Sequence, residues 1–262
     1  MLFLIGMGLS HREIPRNAME VIADADEVLV DQYTNFITDE DLAKIGEDLN
    51  VSLVLLNRSD LEENAKLMVE RARTKKIAIL VSGDPLIATT HHTILDLAHK
   101  MKVEYRVYHA ASIFSAGIGE SGLDVYKFGP TTTLAFWSDN YKPVSHIDVI
   151  KRNMEAGEHT MCLLDYHYAE KRRMRLAEAV SLLHGADRQR NYNILKHDTK
   201  LIVLGDIGKE TQTIAYLEIA KIGKEELMMF EGKVLTIIIP GKLNFAEEEA
   251  LLKFSSHPPS ST

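Results

Sequence analysis

The stretch "KIAILVSGDPLIATTHH" (Lys76–His92) decides how the first half of the chain is read. Ile77 to Val81 is a short apolar run that stops at Ser82-Gly83-Asp84-Pro85. A run of that kind, ended by turn residues, fits a strand buried on both faces. Asp84 is a good helix N-cap residue, and Pro85 is favoured at a first helical position. The spacing therefore predicts a helix over 86–100, with Ile87, His91, Ile94, Leu95 and Ala98 on one stripe. Gly83 allows the tight exit from the strand.

The same alternation continues on both sides. Strands are predicted at 2–8, 27–33, 52–56 and 104–109. Helices are predicted at 14–25, with Pro15 near the first turn, and at 60–74, where Leu61, Ala65, Met68, Val69 and Ala72 recur at helical spacing. Strands spaced by helices imply a mostly parallel sheet covered by helices. In such sheets ligands bind beyond the carboxyl ends of the strands. Those ends carry Gly6-Met7-Gly8-Leu9, Asp31 and Ser82-Gly83-Asp84.

The second half changes character. Strand-like runs at 131–137, 159–167, 200–208, 211–218 and 233–241 surround helices near 146–156 and 169–184. Runs separated by only a few residues point to hairpins and a mixed sheet. A domain boundary is expected near "HAASIFSAG" (109–117). The reading is an N-terminal α/β domain over 1–111, a C-terminal α/β domain over 112–254 and a frayed tail over 255–262. The cluster "EKRRMR" (170–175) is expected on a helix, as a solvated face or as a contact for an acidic partner.

Bulk properties narrow the class. The chain has 262 residues, 45% hydrophobic and 26% charged, enough for a substantial core. A net charge of −8 argues against a general nucleic-acid binder. One cysteine, Cys162, excludes an intrachain disulfide framework and fits a reducing compartment. "MLFLIGMGL" is apolar but has no basic lead or cleavage site, and no run reaches the roughly 20 apolar residues of a membrane helix. A soluble cytoplasmic protein is expected, without membrane association.

Several chemistries can be weighed on their motifs. Gly6 and Gly8 after a strand, with Asp31 ending the next, suggest a dinucleotide fingerprint. His11 replaces the third glycine, which is needed for close helix–strand packing. That leaves a glycine-rich exit without a ligand, or a ligand approaching bare backbone. The histidines lack metal-site spacing, and no His-Glu-x-x-His occurs, so no metal site is predicted. His91 reads as a packed, hydrogen-bonded histidine. No phosphate loop or nucleophile elbow is present, and Cys162 sits in an apolar strand-like run.

The pair "IGMGL" and "SGDPLIATTH" resembles the tetrapyrrole-methylase-like family of S-adenosylmethionine-dependent methyltransferases. "HAASIFSAGIGESGLDVYKFG" (109–129), "HTMCLLDYHYAEKRRM" (159–174), "KLIVLGDIG" (200–208) and "IIIPGKL" (237–243) follow in the family's order, over nearly the whole chain. The resemblance implies an α/β protein of two α/β domains, with the cofactor in the inter-domain cleft, and a homodimer. It implies S-adenosyl-L-methionine as cofactor and S-adenosyl-L-homocysteine as its product. "ATTH" and "YKFG" are similar to the protein-modifying branch. That branch implies a substrate, translation elongation factor 2, whose aminocarboxypropyl-histidine would be methylated three times on its amino group.

Carried over by matching position, the cofactor-binding residues are Leu9, Asp84, Ile87, Ser112, Ile113, Leu164, Ile207 and Leu235. Ala111 departs from the family, where a proline is usual. No motif names a catalytic base; His91, Tyr33 and Asp165 are conceivable. The rival readings are methylation of a tetrapyrrole or corrin precursor, NAD-dependent oxidoreduction and non-catalytic nucleotide sensing.

Overall fold

The computed structural model describes residues 1–10, 12–33, 37–167 and 170–254. His11 and the expected tail over 255–262 lie outside the described residues. The chain divides into two compact units. Of the described residues, one holds those within 1–114 together with Glu170 and Lys171, and the other holds Ser115–His167 and Arg172–Phe254.

The first unit contains β1 (Leu2–Gly6), α1 (Arg16–Ala23), β2 (Glu27–Asp31), α2 (Asp39–Leu49), β3 (Leu53–Leu56), α3 (Arg58–Leu61), α4 (Ala65–Arg71), β4 (Ile77–Val81), α5 (His92–Lys100) and β5 (Tyr105–Tyr108). The five strands form one parallel sheet in the order β3-β2-β4-β1-β5. β1 and β4, its central strands, are buried along their whole length, which is why they read as unbroken apolar runs.

This order fixes the helices. The chain steps toward the β3 edge from β1 to β3, then back toward the β5 edge. Right-handed crossovers place helices from opposite steps on opposite faces. Accordingly Ala18 and Ile22 of α1 and Leu42 and Ile45 of α2 pack with Phe3, Ile5, Val28, Val30 and Leu80. Met68 and Val69 of α4 and Ile94, Leu95 and Ala98 of α5 pack with Leu2, Leu4, Leu29, Ile77 and Ile79. β4 and β1 are neighbours whose chains leave to opposite faces. Their carboxyl ends are therefore the topological switch point of the sheet, where a crevice for a ligand opens in this architecture.

α6 (Ile113–Glu120) carries the chain into the second unit. There follow β6 (Thr132–Leu134), α7 (Ser145–Ala156), β7 (Thr160–Leu164), β8 (Tyr166–His167), β9 (Arg172–Arg173), α8 (Leu176–Arg190), β10 (Lys200–Gly205), β11 (Thr213–Glu218), α9 (Lys224–Met229), β12 (Leu235–Ile239) and α10 (Phe245–Leu251). The main sheet has the order β11-β10-β12-β7-β6, mixed as the short connections implied. α7 and α8 cover one face through Ile147, Ile150, Leu176, Ala179 and Leu183.

Four local expectations are corrected. The helix predicted over 60–74 is two helices, because Asn57 caps α3 through a reciprocal contact with Asp60 and Asn64 then starts α4 afresh. The helix predicted near 169–184 begins at Leu176. "EKRRMR" is not on a helix: Arg172 and Arg173 pair with His167 and Tyr166 in a two-stranded hairpin. The Arg172 guanidinium stacks 4.3 Å over Phe136, and the Arg173 guanidinium donates to the Gly232 carbonyl at 2.7 Å. The cluster lacks the periodic apolar residues a helix needs to dock, so cross-strand pairing decides its conformation. Finally, the helix predicted from residue 86 starts only at His92.

Candidate functional site

At the switch point the exits of β1 and β4 are joined to each other. Gly8 and Gly83 form an antiparallel bridge: the Gly83 N–H donates to the Gly8 carbonyl at 2.7 Å, and the Gly8 N–H donates back at 3.3 Å. Both have left-handed backbones, φ +72° and +74°, a region that costs any residue with a Cβ. At Gly83 the conformation alone demands glycine, since a Cβ would meet nothing nearer than 3.9 Å. That space opens at the mouth of the sheet. Gly6 is glycine for packing: a Cβ there would lie 2.6 Å from the Gly83 carbonyl oxygen and 2.9 Å from the Ala110 Cβ.

Asp84 is not a helix cap. Its Oδ1 accepts the Leu86 N–H at 3.0 Å, and its Oδ2 accepts the Ala110 N–H at 3.3 Å and the His109 Nδ1–H at 2.8 Å. The carboxylate is 7% exposed. It ties the exit of β4 to the exit of β5 across the end of β1. Residues 85–91 form turns instead of the first helical turn, and Ala88 takes φ +56°. The capping signal Asp-Pro is also an Asx-turn signal, and the β5 partners settle which applies.

His91 is wholly buried, as the apolar stripe implied, and its Nδ1 lies 2.9 Å from the Pro85 carbonyl. Its Nε2 lies 3.2 Å from a carboxylate oxygen of Asp31, which is also wholly buried. The other Asp31 oxygen accepts the Tyr33 N–H at 2.7 Å. This pair links β2 to the Gly-Asp-Pro loop. Its burial takes His91 away from any reacting group. Asp165 spends one oxygen on the Phe136 N–H and the other on the Tyr166 N–H. Burial pushes the Tyr33 phenol upward in pKa, with Glu62 adding to it.

The residues matched to the cofactor fall on two sheet edges. In the first unit, Leu9 follows β1, Asp84 and Ile87 follow β4, and Ser112 and Ile113 follow β5, the exits of three adjacent strands. Leu9 and Ile113 are half-buried, Ser112 is buried and Ile87 is 43% exposed. The Leu9 N–H is held by Glu13 Oε2 at 2.8 Å. In the second unit β7 and β10 both run antiparallel to β12. Leu164 at the end of β7, Ile207 just past β10 and Leu235 at the start of β12 therefore share one edge.

Sequence reasoning missed His109 and Glu13. His109 stands 25 positions beyond Asp84, so only strand order reveals their contact. It also left the "YKFG" run without a role. Lys127 pairs with Glu247 of α10 and donates to the Lys242 carbonyl at 2.6 Å. Glu247 also accepts the Asp124 N–H at 3.0 Å, the Asn244 N–H at 2.8 Å and the His159 Nε2–H at 2.9 Å. The Gly241 N–H donates to the His159 Nδ1 at 2.9 Å, which fixes the neutral ring with its proton on Nε2. The cluster locks α10 to this run and to β7. Cys162 is buried, and burial pushes its thiol upward, away from thiolate chemistry. Among the described residues no group of three or more His, Cys, Asp or Glu could hold a metal ion, and no helix is long and apolar enough to cross a membrane.

Residues 1–222 match the family of tetrapyrrole (corrin/porphyrin) methylases. The diphthine synthase of Methanocaldococcus jannaschii is 36% identical over 254 residues, 96% of this chain and 97% of the relative. That of Methanococcus maripaludis is 35% identical over 252 residues, again 96% of this chain and 97% of the relative. A crystal structure of a diphthine synthase matches with a TM-score of 0.84 at 31% identity, covering 98% of this chain and 96% of that one. With the switch-point loops in place and likeness running the length of the chain, the protein is a methyltransferase that belongs to the tetrapyrrole (corrin/porphyrin) methylase family, on its diphthine synthase branch.

Proposed function

We propose that the protein uses S-adenosyl-L-methionine to methylate, three times, the amino group of the aminocarboxypropyl-modified histidine of translation elongation factor 2, giving diphthine. The observation that carries this reading is end-to-end likeness to diphthine synthases, with both glycine loops meeting at the switch point. The protein would work in the cytoplasm as a homodimer.

The residues at the switch point suit this cofactor. Bare glycine backbone stands beside aliphatic side chains, and Ile87 offers an exposed apolar face that an adenine would cover. Leu9, Ile87 and Ile113 would flank the nucleoside and keep water out, while Ser112 and loop backbone would meet its polar groups. By the same family match, Leu164, Ile207 and Leu235 would also contact the cofactor. When bound, the cofactor supplies an electrophilic methyl on a sulfonium. What the chain contributes is alignment of the amine with that methyl, which can supply much of the acceleration.

Asp84 serves this alignment by holding two backbone N–H groups and one imidazole. Asp84→Ala leaves all three without an acceptor. Its affinity for S-adenosylhomocysteine should fall by more than about tenfold, ~1.4 kcal/mol, with the fold intact. Calorimetric titration measures this, and unchanged affinity would remove Asp84 from the site.

The function is tested by mass spectrometry of precursor-bearing elongation factor 2 after incubation with the protein and S-adenosylmethionine. Addition of three methyls is expected. An unmodified factor, with methyl transfer to a corrin or porphyrin precursor in its place, would refute the assignment.

A further inference from the structure

His109 and Asp84 form an oriented pair at the mouth of the first unit's sheet. The Asp84 carboxylate is buried and fixed by the N–H groups of Leu86 and Ala110. It accepts the His109 Nδ1–H at 2.8 Å. The His109 side chain is 66% exposed, so its Nε2 faces outward. Among the described residues Asp84 is the titratable group within ion-pair distance of the ring. A carboxylate that holds one ring nitrogen leaves the other as a directed proton acceptor.

We propose that His109 is the proton acceptor for the substrate amine. This rests on the methyltransferase reading above. Each transfer forms an N–C bond from the amine lone pair, while the S–C bond breaks and its electron pair stays on sulfur. The attacking nitrogen must first be neutral. Starting from the primary ammonium, one proton must leave before each of the three transfers. His109 Nε2 takes that proton and passes it to water, and Asp84 holds the ring in place as it becomes charged. The trimethylated product has no N–H left, so the relay stops there. The exposed position suits a group that must discharge its proton three times.

A structural role, as a mere tether for Asp84, makes a different prediction, and His109→Asn separates the two. An asparagine amide can keep donating to Asp84 but cannot accept the amine proton. We expect His109→Asn to bind S-adenosylhomocysteine within about twofold of the parent. We expect it to lose about 10²–10⁴-fold in the rate of the first methyl transfer at neutral pH. The pH profile should change as well: the variant's rate should keep rising with pH beyond the parent's plateau, because the substrate ammonium must lose its proton to water or hydroxide alone. Parent-like rates and pH profile in both His109→Asn and His109→Ala would overturn the inference alone. So would a rate loss matched by an equal loss of S-adenosylhomocysteine affinity. A parent protein that moves no methyl to elongation factor 2 would overturn the substrate reading, and the inference with it.

Discussion

Glu247→Ala should cost the protein about 3–5 kcal/mol, because it strips a buried carboxylate from a buried His159 ring, a half-buried Lys127 ammonium and two backbone N–H groups. Lys127 would keep a half-buried charge with no counter-ion, and the Asp124 N–H, Asn244 N–H and His159 Nε2–H would lose their acceptor. For a chain of this size the loss corresponds to a fall in melting temperature of roughly 10 °C. Thermal scans at neutral pH measure it. A melting temperature within a degree or two of the parent would show that the cluster carries no net stability.

The same cluster sets an acid limit. Burial raises the Glu247 carboxyl, but the Lys127 ammonium, the Asn244 and Asp124 N–H groups and the His159 ring outweigh it and hold it down to about 2. A carboxyl depressed on folding stabilises above its unfolded value. That stabilisation is lost as pH falls from the ordinary glutamate range toward about 2. The loss amounts to about 3 kcal/mol over that window. His159 acts in the same direction at higher pH. Burial pushes its ring below the usual imidazole range, so the unfolded chain takes up a proton that the folded ring refuses. Stability should therefore begin to fall below about pH 6.5 and fall further below the glutamate range. Glu247→Gln should flatten the lower part of this curve and, because the Glu247 carboxylate favours the charged His159 ring, steepen the upper part.

The second large effect is expected at Gly6. In Gly6→Ala the new Cβ would lie 2.6 Å from the Gly83 carbonyl oxygen, 2.9 Å from the Ala110 Cβ and 3.0 Å from the Pro85 Cδ. None of these is the end of a flexible side chain. The exits of β1, β4 and β5 must move apart to admit it, at a cost of about 1–3 kcal/mol. That motion would open the Gly8–Gly83 bridge and pull Ala110 from Asp84. Affinity for S-adenosylhomocysteine should fall by more than about tenfold, with far-ultraviolet circular dichroism unchanged. Parent-like affinity would separate the bridge from cofactor binding.

Much of the alternating fold is legible in the sequence. "LFLIG", "EVLVD" and "IAILV" are apolar enough to read as strands buried on both faces, and the spacing of turns in the second half reads as a mixed sheet. The glycine and Gly-Asp-Pro loops are legible as strand exits. Their partners are not. Asp84 fits a helix cap on local grounds, and only the Ala110 N–H and the His109 ring turn it into a tie between strands. The basic run at 170–175 fails for the same reason, since pairing with Tyr166 and His167 depends on a return of the chain that no local pattern encodes.

By itself the sequence determined the strands of the two five-stranded sheets, where the chain changes from parallel to mixed pairing, and which family its motifs resemble. These follow from apolar periodicity and from backbone positions that only glycine fills easily. The tertiary structure alone decided the strand order β3-β2-β4-β1-β5, the meeting of Gly8 with Gly83, and the pairing of His109 with Asp84. Those contacts join residues far apart in the chain. They exist because right-handed crossovers bring β4 beside β1, and β1 beside β5, and no local propensity contains that choice.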